Sequence, residues 1–126
     1  MKTILLVEDD PLQAFVRMSA LEKHFKSVRR VADASEALCL IEQRAFDGKL
    51  GLVIAGIHLP GLGGPAFVQE LHNRIPELAV LVLGNAAESA SDYTDEHVRF
   101  LGRAAGTEEM LKVAGELLLQ DGQKVA

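Results

Sequence analysis

Short apolar runs alternate with amphipathic segments along most of the chain. The clearest run extends from Leu50 to Ala55, contains no polar side chain and is followed by Gly56 and a glycine-rich loop. A run of this length is typical of a central strand in a parallel sheet, because both faces of such a strand are buried. In open α/β sheets the carboxyl ends of the strands form the functional edge, so we expect Gly56 to lie at the candidate site.

The same pattern predicts the other elements. Predicted strands cover 4–7, 28–31, 50–55, 78–83 and 98–101, and predicted helices cover 11–25, 65–74 and 107–120, with another from a cap at Asp33 or Ser35 to about Ala45. Residues 84–96 show only a weak helical period, which predicts a loop or a short or disordered fourth helix. The alternation of strands and helices predicts an α/β fold, namely a flavodoxin-like, doubly wound parallel sheet of five strands in the order 2-1-3-4-5, with helices on both faces.

The first helix has an apolar spacing that predicts its buried face. The predicted stripe consists of Leu12, Phe15, Val16, Ser19 and Ala20, with Leu21 and Phe25 beside it. Asp10 precedes the helix and has a side chain suited to an N-cap. Arg17 is not part of the predicted stripe, so we expect it to be a solvated residue or a contact for a partner.

The composition is that of one mildly acidic domain. The chain has 126 residues and a net charge of −5, whereas a nucleic-acid interface requires a basic face. No segment approaches the roughly 18 continuous apolar residues that indicate a membrane span, so we expect a cytoplasmic protein. We expect a domain over 1–120 and a frayed tail over 121–126. The single Cys39 excludes an internal disulfide, and its apolar neighbours predict a buried, inert thiol.

Three segments together resemble the receiver domain of response regulators, the CheY-like superfamily. They are ILLVEDDP at 4–11, ASEAL at 34–38 and LPGLGG at 59–64. The resemblance extends over nearly the whole chain and is weakest between Ala86 and His97. It implies a module of two-component, or phosphorelay, signalling, in which an aspartate attacks phosphorus while a metal ion and a lysine neutralise charge.

The resemblance implies a metal pocket after the first strand and a phosphoacceptor after the third. The acidic pair that holds Mg²⁺ in a working receiver falls on Glu8 and Asp9, and the acceptor aspartate falls on Gly56, which has no side chain to phosphorylate. The nearest carboxylates, Asp47 and Glu70, cannot take its place without breaking the register of the LPGLGG loop. We therefore expect Glu8 and Asp9 to bind Mg²⁺ weakly or not at all, and we predict no other cofactor.

The resemblance implies three further positions, one after the fourth strand and two in or after the fifth strand. The hydroxyl position falls on Gly84, the lysine position on Arg103 and the switch aromatic on Phe100. An arginine holds a permanent charge, and one hypothesis is that Arg103 pairs with Asp9 or Glu8 and fixes the site in one state. The alternative is a solvated arginine.

These departures predict a pseudo-receiver that is not an enzyme. We expect it to act, independently of phosphorylation, by binding a histidine kinase, a phosphotransfer protein or another signalling protein, or as a homodimer through the strand-5 side, without direct contact to nucleic acid or membrane. One alternative is a receiver phosphorylated at a nonstandard residue, for which His58 is a candidate. Another is the N-terminal regulatory fragment of a longer protein. A flavodoxin-like cofactor binder is a third alternative, although the loops have no Thr/Ser-rich phosphate cradle.

Overall fold

A parallel sheet of five strands organises the residues that the computed structural model describes, which are 2–56, 64–84, 96–102 and 106–125, with side chains as far as Leu119. The strands are β1 (Thr3–Val7), β2 (Val28–Val31), β3 (Leu50–Gly56), β4 (Ala79–Leu83) and β5 (Val98–Leu101). The helices are α1 (Pro11–His24), α2 (Ala34–Glu42), α3 (Gly64–Arg74) and α4 (Thr107–Val125). The strand order β2-β1-β3-β4-β5, parallel throughout, confirms the predicted topology. The helix considered for 84–96 falls on residues 85–95, which lie outside the described ranges.

The central strands β1 and β3 are buried on both faces, as their apolar sequences predict. The core layer on the side of α1 and α4 includes Ile4, Leu6, Leu52 and Ile54, and the layer on the side of α2 and α3 includes Leu5, Val7, Val53 and Ala55. Each buried aliphatic side chain contributes about 1.5–3 kcal/mol to the stability of the fold. The register pairs Val7 with Ala55 and Gly56 with Leu83, so this core brings the carboxyl ends of β1, β3 and β4 to one level.

The buried face of α1 differs from the predicted one. Ala14 and Leu21 are buried, whereas Leu12, Phe15 and Val16 are 70%, 70% and 44% exposed. The prediction that these three large residues form the inner stripe was wrong. Apolar residues occur on most sides of this helix, so their spacing alone does not determine which side meets the sheet.

The two ends of α2 follow local rules that the sequence only partly indicates. Asp33 is the N-cap, since its carboxylate accepts the backbone N–H of Glu36 at 2.8 Å. The helix ends at Glu42, earlier than predicted, and the chain then turns through Arg44 with a positive φ of 57°. This turn places Ala45, the predicted end of the helix, at the surface and brings Phe46 into the core.

The prediction of a buried thiol at Cys39 was also wrong. Cys39 is exposed, because it lies about 200° around α2 from the buried Ala37. The last helix extends from Thr107 to Val125. None of the described helices, α4 included, is long and apolar enough to cross a membrane.

Candidate functional site

The candidate site lies where β1, β3 and β4 end side by side. Glu8 follows β1, Gly56 is the last residue of β3, and Gly84 follows β4. The backbone N–H of Glu8 donates to the carbonyl oxygen of Val31 at 3.0 Å, and that of Gly84 donates to the carbonyl oxygen of Leu101 at 2.9 Å. The sheet hydrogen bonding therefore continues into the loop residues and fixes the backbone of the site.

The three acidic residues after β1 occupy three different environments. Glu8 is buried, with 6% of its surface exposed, whereas Asp9 and Asp10 are exposed. Asp10 serves as the N-cap of α1, because its Oδ1 accepts the backbone N–H of Leu12 at 2.9 Å, which confirms the predicted cap. Only Glu8 therefore directs a buried carboxylate into the site.

Both oxygens of the Glu8 carboxylate already accept hydrogen bonds. The backbone N–H of Asp10 donates to Oε2 at 3.1 Å. Arg17, on α1, donates from Nη1 to Oε1 and forms an ion pair with it. The side chain of Arg17 is itself 23% exposed, so this pair is largely removed from water. A charge-assisted bond of this kind is stronger than a neutral one.

A second arginine holds the backbone at the same residue. Arg30, on β2, donates from Nε at 3.1 Å and from Nη2 at 2.7 Å to the carbonyl oxygen of Glu8. Because β2 is hydrogen-bonded to β1, the strand pairing places Arg30 next to the β1–α1 corner. Among the residues that the structure describes, two guanidinium groups thus contact Glu8: Arg17 donates to its carboxylate and Arg30 donates to its backbone carbonyl oxygen.

Burial raises the pKa of Glu8 above its ordinary value of 4.5. The hydrogen bond from Asp10 and the charge of Arg17 act in the opposite direction, since both favour the ionised carboxylate. The neighbouring Asp9 adds smaller contributions that raise the pKa further. Desolvation is therefore the largest cause of the raised pKa, and the interaction with Asp9 is a smaller one.

Gly56 lies directly beside this carboxylate. Of the described residues, Glu8 comes nearest to a Cβ atom built on Gly56, with its Oε1 at 3.7 Å, which is an ordinary van der Waals distance. The structure therefore brings Glu8 and Gly56 together, as the sequence predicts. Asp47 lies in the turn before β3, at the other end of the strand, and Glu70 lies on α3, where it pairs with Arg74 at 2.8 Å.

The donor set at this position does not fit Mg²⁺. That ion requires near-octahedral coordination by oxygen atoms and is usually held through one or two carboxylates. Glu8 Oε1 is occupied by Arg17, and Gly56 offers no oxygen from a side chain. Within the described ranges, no three His, Cys, Asp or Glu side chains are grouped so that they could hold a metal ion.

The remaining predicted positions are only partly described. Phe100 lies on β5, is paired in register with Val82 and packs, half-buried, against the core on the side of α2 and α3. Arg103 and His58 lie outside the described residues, so the predicted pairing of Arg103 with Glu8 or Asp9 stays a prediction.

Sequence reasoning missed both arginines that contact Glu8. Arg17 lies three residues after the buried Ala14 and four before the buried Leu21, so a helix phase set by those two residues identifies it as facing the sheet. Arg30 lies on β2 and was not among the predicted site residues. The parallel pairing of β1 with β2 was the available signal, since it aligns Leu6 with Arg30, two positions before Glu8.

Comparison with known sequences identifies the same family over most of the chain. Residues 4–101 match the family described as the response regulator receiver domain. One curated relative, the sensor kinase CckA of Brucella abortus (strain 2308), is 28% identical over 88 residues. That alignment covers 70% of this chain but only 9% of the kinase, so the chain spans a small part of the relative that it matches.

Solved structures of receiver domains share the fold. The signal receiver domain of an HD domain-containing protein from Pseudomonas fluorescens Pf-5 superposes with a TM-score of 0.83 at 22% identity, covering 97% of this chain and 98% of that one. A CheY-like response regulator receiver domain protein from Methanospirillum hungatei JF-1 gives 0.81 at 22% identity, covering 98% of both chains. At these identities the likeness extends to the fold alone.

Proposed function

Because the chain belongs to the response regulator receiver domain family, we propose that it is a two-component signalling module that works by binding other proteins without receiving a phosphoryl group. The observation that carries this proposal is Gly56 at the end of β3, beside Glu8. Receiver domains interact with histidine kinases and other signalling proteins, and those remain the classes of partner that we propose for this chain.

The chemistry of phosphoryl transfer supports the first half of the proposal. Transfer to a receiver needs a carboxylate nucleophile, and it needs positioned groups that neutralise the charge on phosphorus. The position implied for the nucleophile is Gly56, and the position implied for the hydroxyl is Gly84. Glu8, which is implied to hold the metal, is instead paired with Arg17. Two of the implied roles therefore have no side chain to perform them, and in the third the carboxylate of Glu8 is already paired with a cation.

The exposed face of α1 supports the second half. Leu12, Phe15 and Val16 are spaced by three and four residues, so they share one side of the helix. They are 70%, 70% and 44% exposed, which leaves an apolar stripe next to the β1–α1 corner. An exposed apolar stripe of this kind fits the apolar face of a partner helix. We propose this stripe as the contact surface, and we name it the α1 stripe.

Titration of candidate partners tests the proposal. The labelled chain is titrated with histidine kinase and phosphotransfer domains from the same organism, with and without acetyl phosphate and Mg²⁺. We expect one of them to bind with the same affinity in both conditions, and we expect Phe15→Glu to abolish that binding. Binding that requires acetyl phosphate contradicts the proposal. Sedimentation of the chain alone tests the alternative of a homodimer through the β5 side. Self-association that Phe15→Glu leaves unchanged would mean that the α1 stripe is not the contact surface.

The curated relative favours a second candidate function. In the Brucella sensor kinase the matching segment is part of a much longer protein. In this second candidate, the chain is the regulatory part of a longer signalling protein. Because Gly56 cannot be phosphorylated, the module would bind its partner in the same way at all times. Determination of the full open reading frame distinguishes this candidate from a separate adaptor.

A further inference from the structure

We propose that Arg17 is a built-in cation that fills the acidic pocket beside Glu8, so that the pocket excludes divalent metal even when an acceptor carboxylate is restored at position 56. This inference deepens the proposed function, because it concerns the same pocket. The contacts of Arg17 on which it depends do not involve the question whether position 56 can accept a phosphoryl group.

One oxygen atom decides the geometry of the pocket. Glu8 Oε1 accepts from Arg17 Nη1, and the same oxygen is the nearest neighbour of a Cβ atom built at Gly56. A cation that joins Glu8 to a side chain at position 56 has to approach this oxygen. The guanidinium of Arg17 therefore occupies the place where a metal ion has to make its contact.

Burial of Glu8 strengthens its interaction with Arg17. Glu8 is 6% exposed, and a buried carboxylate without a partner destabilises the folded state. In a receiver with a bound metal ion, the ion compensates the charge of the carboxylate. Here the guanidinium of Arg17, which is always charged, compensates it by donating directly to the oxygen. The carboxylate is thus neutralised by the fold, with no need for a ligand.

The surrounding contacts hold Glu8 in one arrangement. Asp10 donates to its second carboxylate oxygen, and Arg30 donates twice to its carbonyl oxygen. The backbone N–H of Glu8 donates to Val31. With both ends of the residue fixed, the carboxylate cannot turn toward another cation unless Arg17 leaves.

Arg17 also has the advantage of being part of the same chain. A tethered group competes at a high effective concentration, whereas a free ion competes at its bulk concentration. Mg²⁺ is further disfavoured because it gives up its water reluctantly and requires several oxygen ligands. Of the residues that the resemblance implies as its ligands, Asp9 is exposed and Gly56 contributes no carboxylate. Arg17 is therefore expected to outcompete Mg²⁺ for the carboxylate of Glu8.

The inference is tested by metal binding in four chains, measured with Mn²⁺ through water-proton relaxation and then by competition with Mg²⁺. The chains are the natural protein, Arg17→Met, Gly56→Asp and the double variant. We expect the natural protein and Gly56→Asp to show little saturable binding, and we expect the double variant to bind at least about tenfold more tightly than Gly56→Asp, since it no longer carries a competing charge at the carboxylate.

A matched control separates this effect from a change in net charge. Arg99, on β5, pairs with Glu116 at 3.5 Å on the surface, away from the acidic pocket. Arg99→Met in the Gly56→Asp background removes the same charge, and we expect it to leave metal affinity unchanged. If Gly56→Asp alone binds Mg²⁺ as tightly as the double variant, the inference is overturned.

A second measurement covers the case in which Arg17→Met does not fold. The guanidinium resonances of ¹⁵N-labelled natural protein report directly on Arg17 during a titration with Mg²⁺. We expect a slowly rotating, hydrogen-bonded signal that the metal leaves unchanged. Release of that signal by Mg²⁺ overturns the inference. Both measurements are made without a phosphoryl donor, so they are independent of whether the natural protein can be phosphorylated.

Discussion

Arg17 Nη1 donates to Glu8 Oε1, and this oxygen also lies 3.7 Å from the position of a Cβ atom at Gly56. A positive side chain from α1 therefore meets the carboxylate at the position where the resemblance implies a metal ion and an acceptor aspartate. This relationship leads to predictions about the stability, titration and surface of the protein.

Removing Arg17 is expected to destabilise the protein by about 1–3 kcal/mol, because Glu8 is left as a buried carboxylate without its partner. The variant is Arg17→Met, which preserves much of the apolar stem of the side chain. The free energy of unfolding is measured with urea at neutral pH. Arg99→Met serves as the comparison, since its surface pair with Glu116 is expected to contribute no more than about 0.5 kcal/mol. Equal losses in the two variants contradict the assigned role of Arg17.

The titration of Glu8 has a defined direction. Since burial raises its pKa in the folded state, the folded protein binds this proton more tightly than the unfolded chain. The contribution of Glu8 to stability is therefore fully present below 4.5, its ordinary pKa, and is lost as the pH rises through the raised pKa. We expect the stability of the natural protein relative to Glu8→Gln to fall over that range. Urea unfolding of both proteins at a series of pH values measures it, and a relative stability that rises with pH contradicts it.

Among the described residues, the backbone at position 56 has room for a side chain. A Cβ atom at Gly56 makes an ordinary contact with Glu8 there, so we expect Gly56→Ala to change the free energy of unfolding by less than about 1 kcal/mol. Gly51, in the same strand, offers the contrast. A Cβ atom there lies 2.6 Å from Lys2 Cβ, and we expect Gly51→Ala to cost about 1–3 kcal/mol. Thermal unfolding compares the two variants. A larger loss for Gly56→Ala indicates that the fold itself requires glycine at this position.

The orientation of α1 predicts opposite effects for two apolar residues of the same helix. Phe15 is 70% exposed, so Phe15→Gln is expected to change stability by no more than about 0.5 kcal/mol. Leu21 is fully buried, and Leu21→Ala is expected to cost about 2–5 kcal/mol. Denaturant unfolding distinguishes this arrangement from the one that the sequence pattern predicts, in which Phe15 is part of the core and Phe15→Gln is severely destabilising.

Local and periodic signals in the sequence predicted the strands, their order and the cap at Asp10, and they reduced the second cap to Asp33 or Ser35. These features depend on neighbouring residues or on long apolar runs such as Leu50 to Ala55, so one sequence is enough to identify them. The inner face of α1 was not predictable in this way, because Leu12 and Phe15 are as apolar as the residues that are buried.

Of the site, the sequence predicted only the residues whose position is set by the ends of the strands. Glu8 and Gly56 could be placed together because the topology fixes where β1 and β3 end. The contacts from Arg17 and Arg30 depend on the rotation of α1 and on how far a long side chain on β2 reaches. The helix phase identifies Arg17 only once Ala14 and Leu21 are known to be buried, and along the sequence both arginines match the pattern of solvated surface residues.

The measurement that tests the central claim most directly is the intact mass of the natural protein after incubation with Mg²⁺ and acetyl phosphate, beside an aspartate-bearing receiver domain treated in the same way. The absence of a nucleophile at Gly56 and the occupation of Glu8 by Arg17 predict that only the comparison domain gains the mass of a phosphoryl group. A phosphorylated natural protein contradicts the account, and mapping the modified residue, with His58 examined first, then identifies the group that accepts the phosphate.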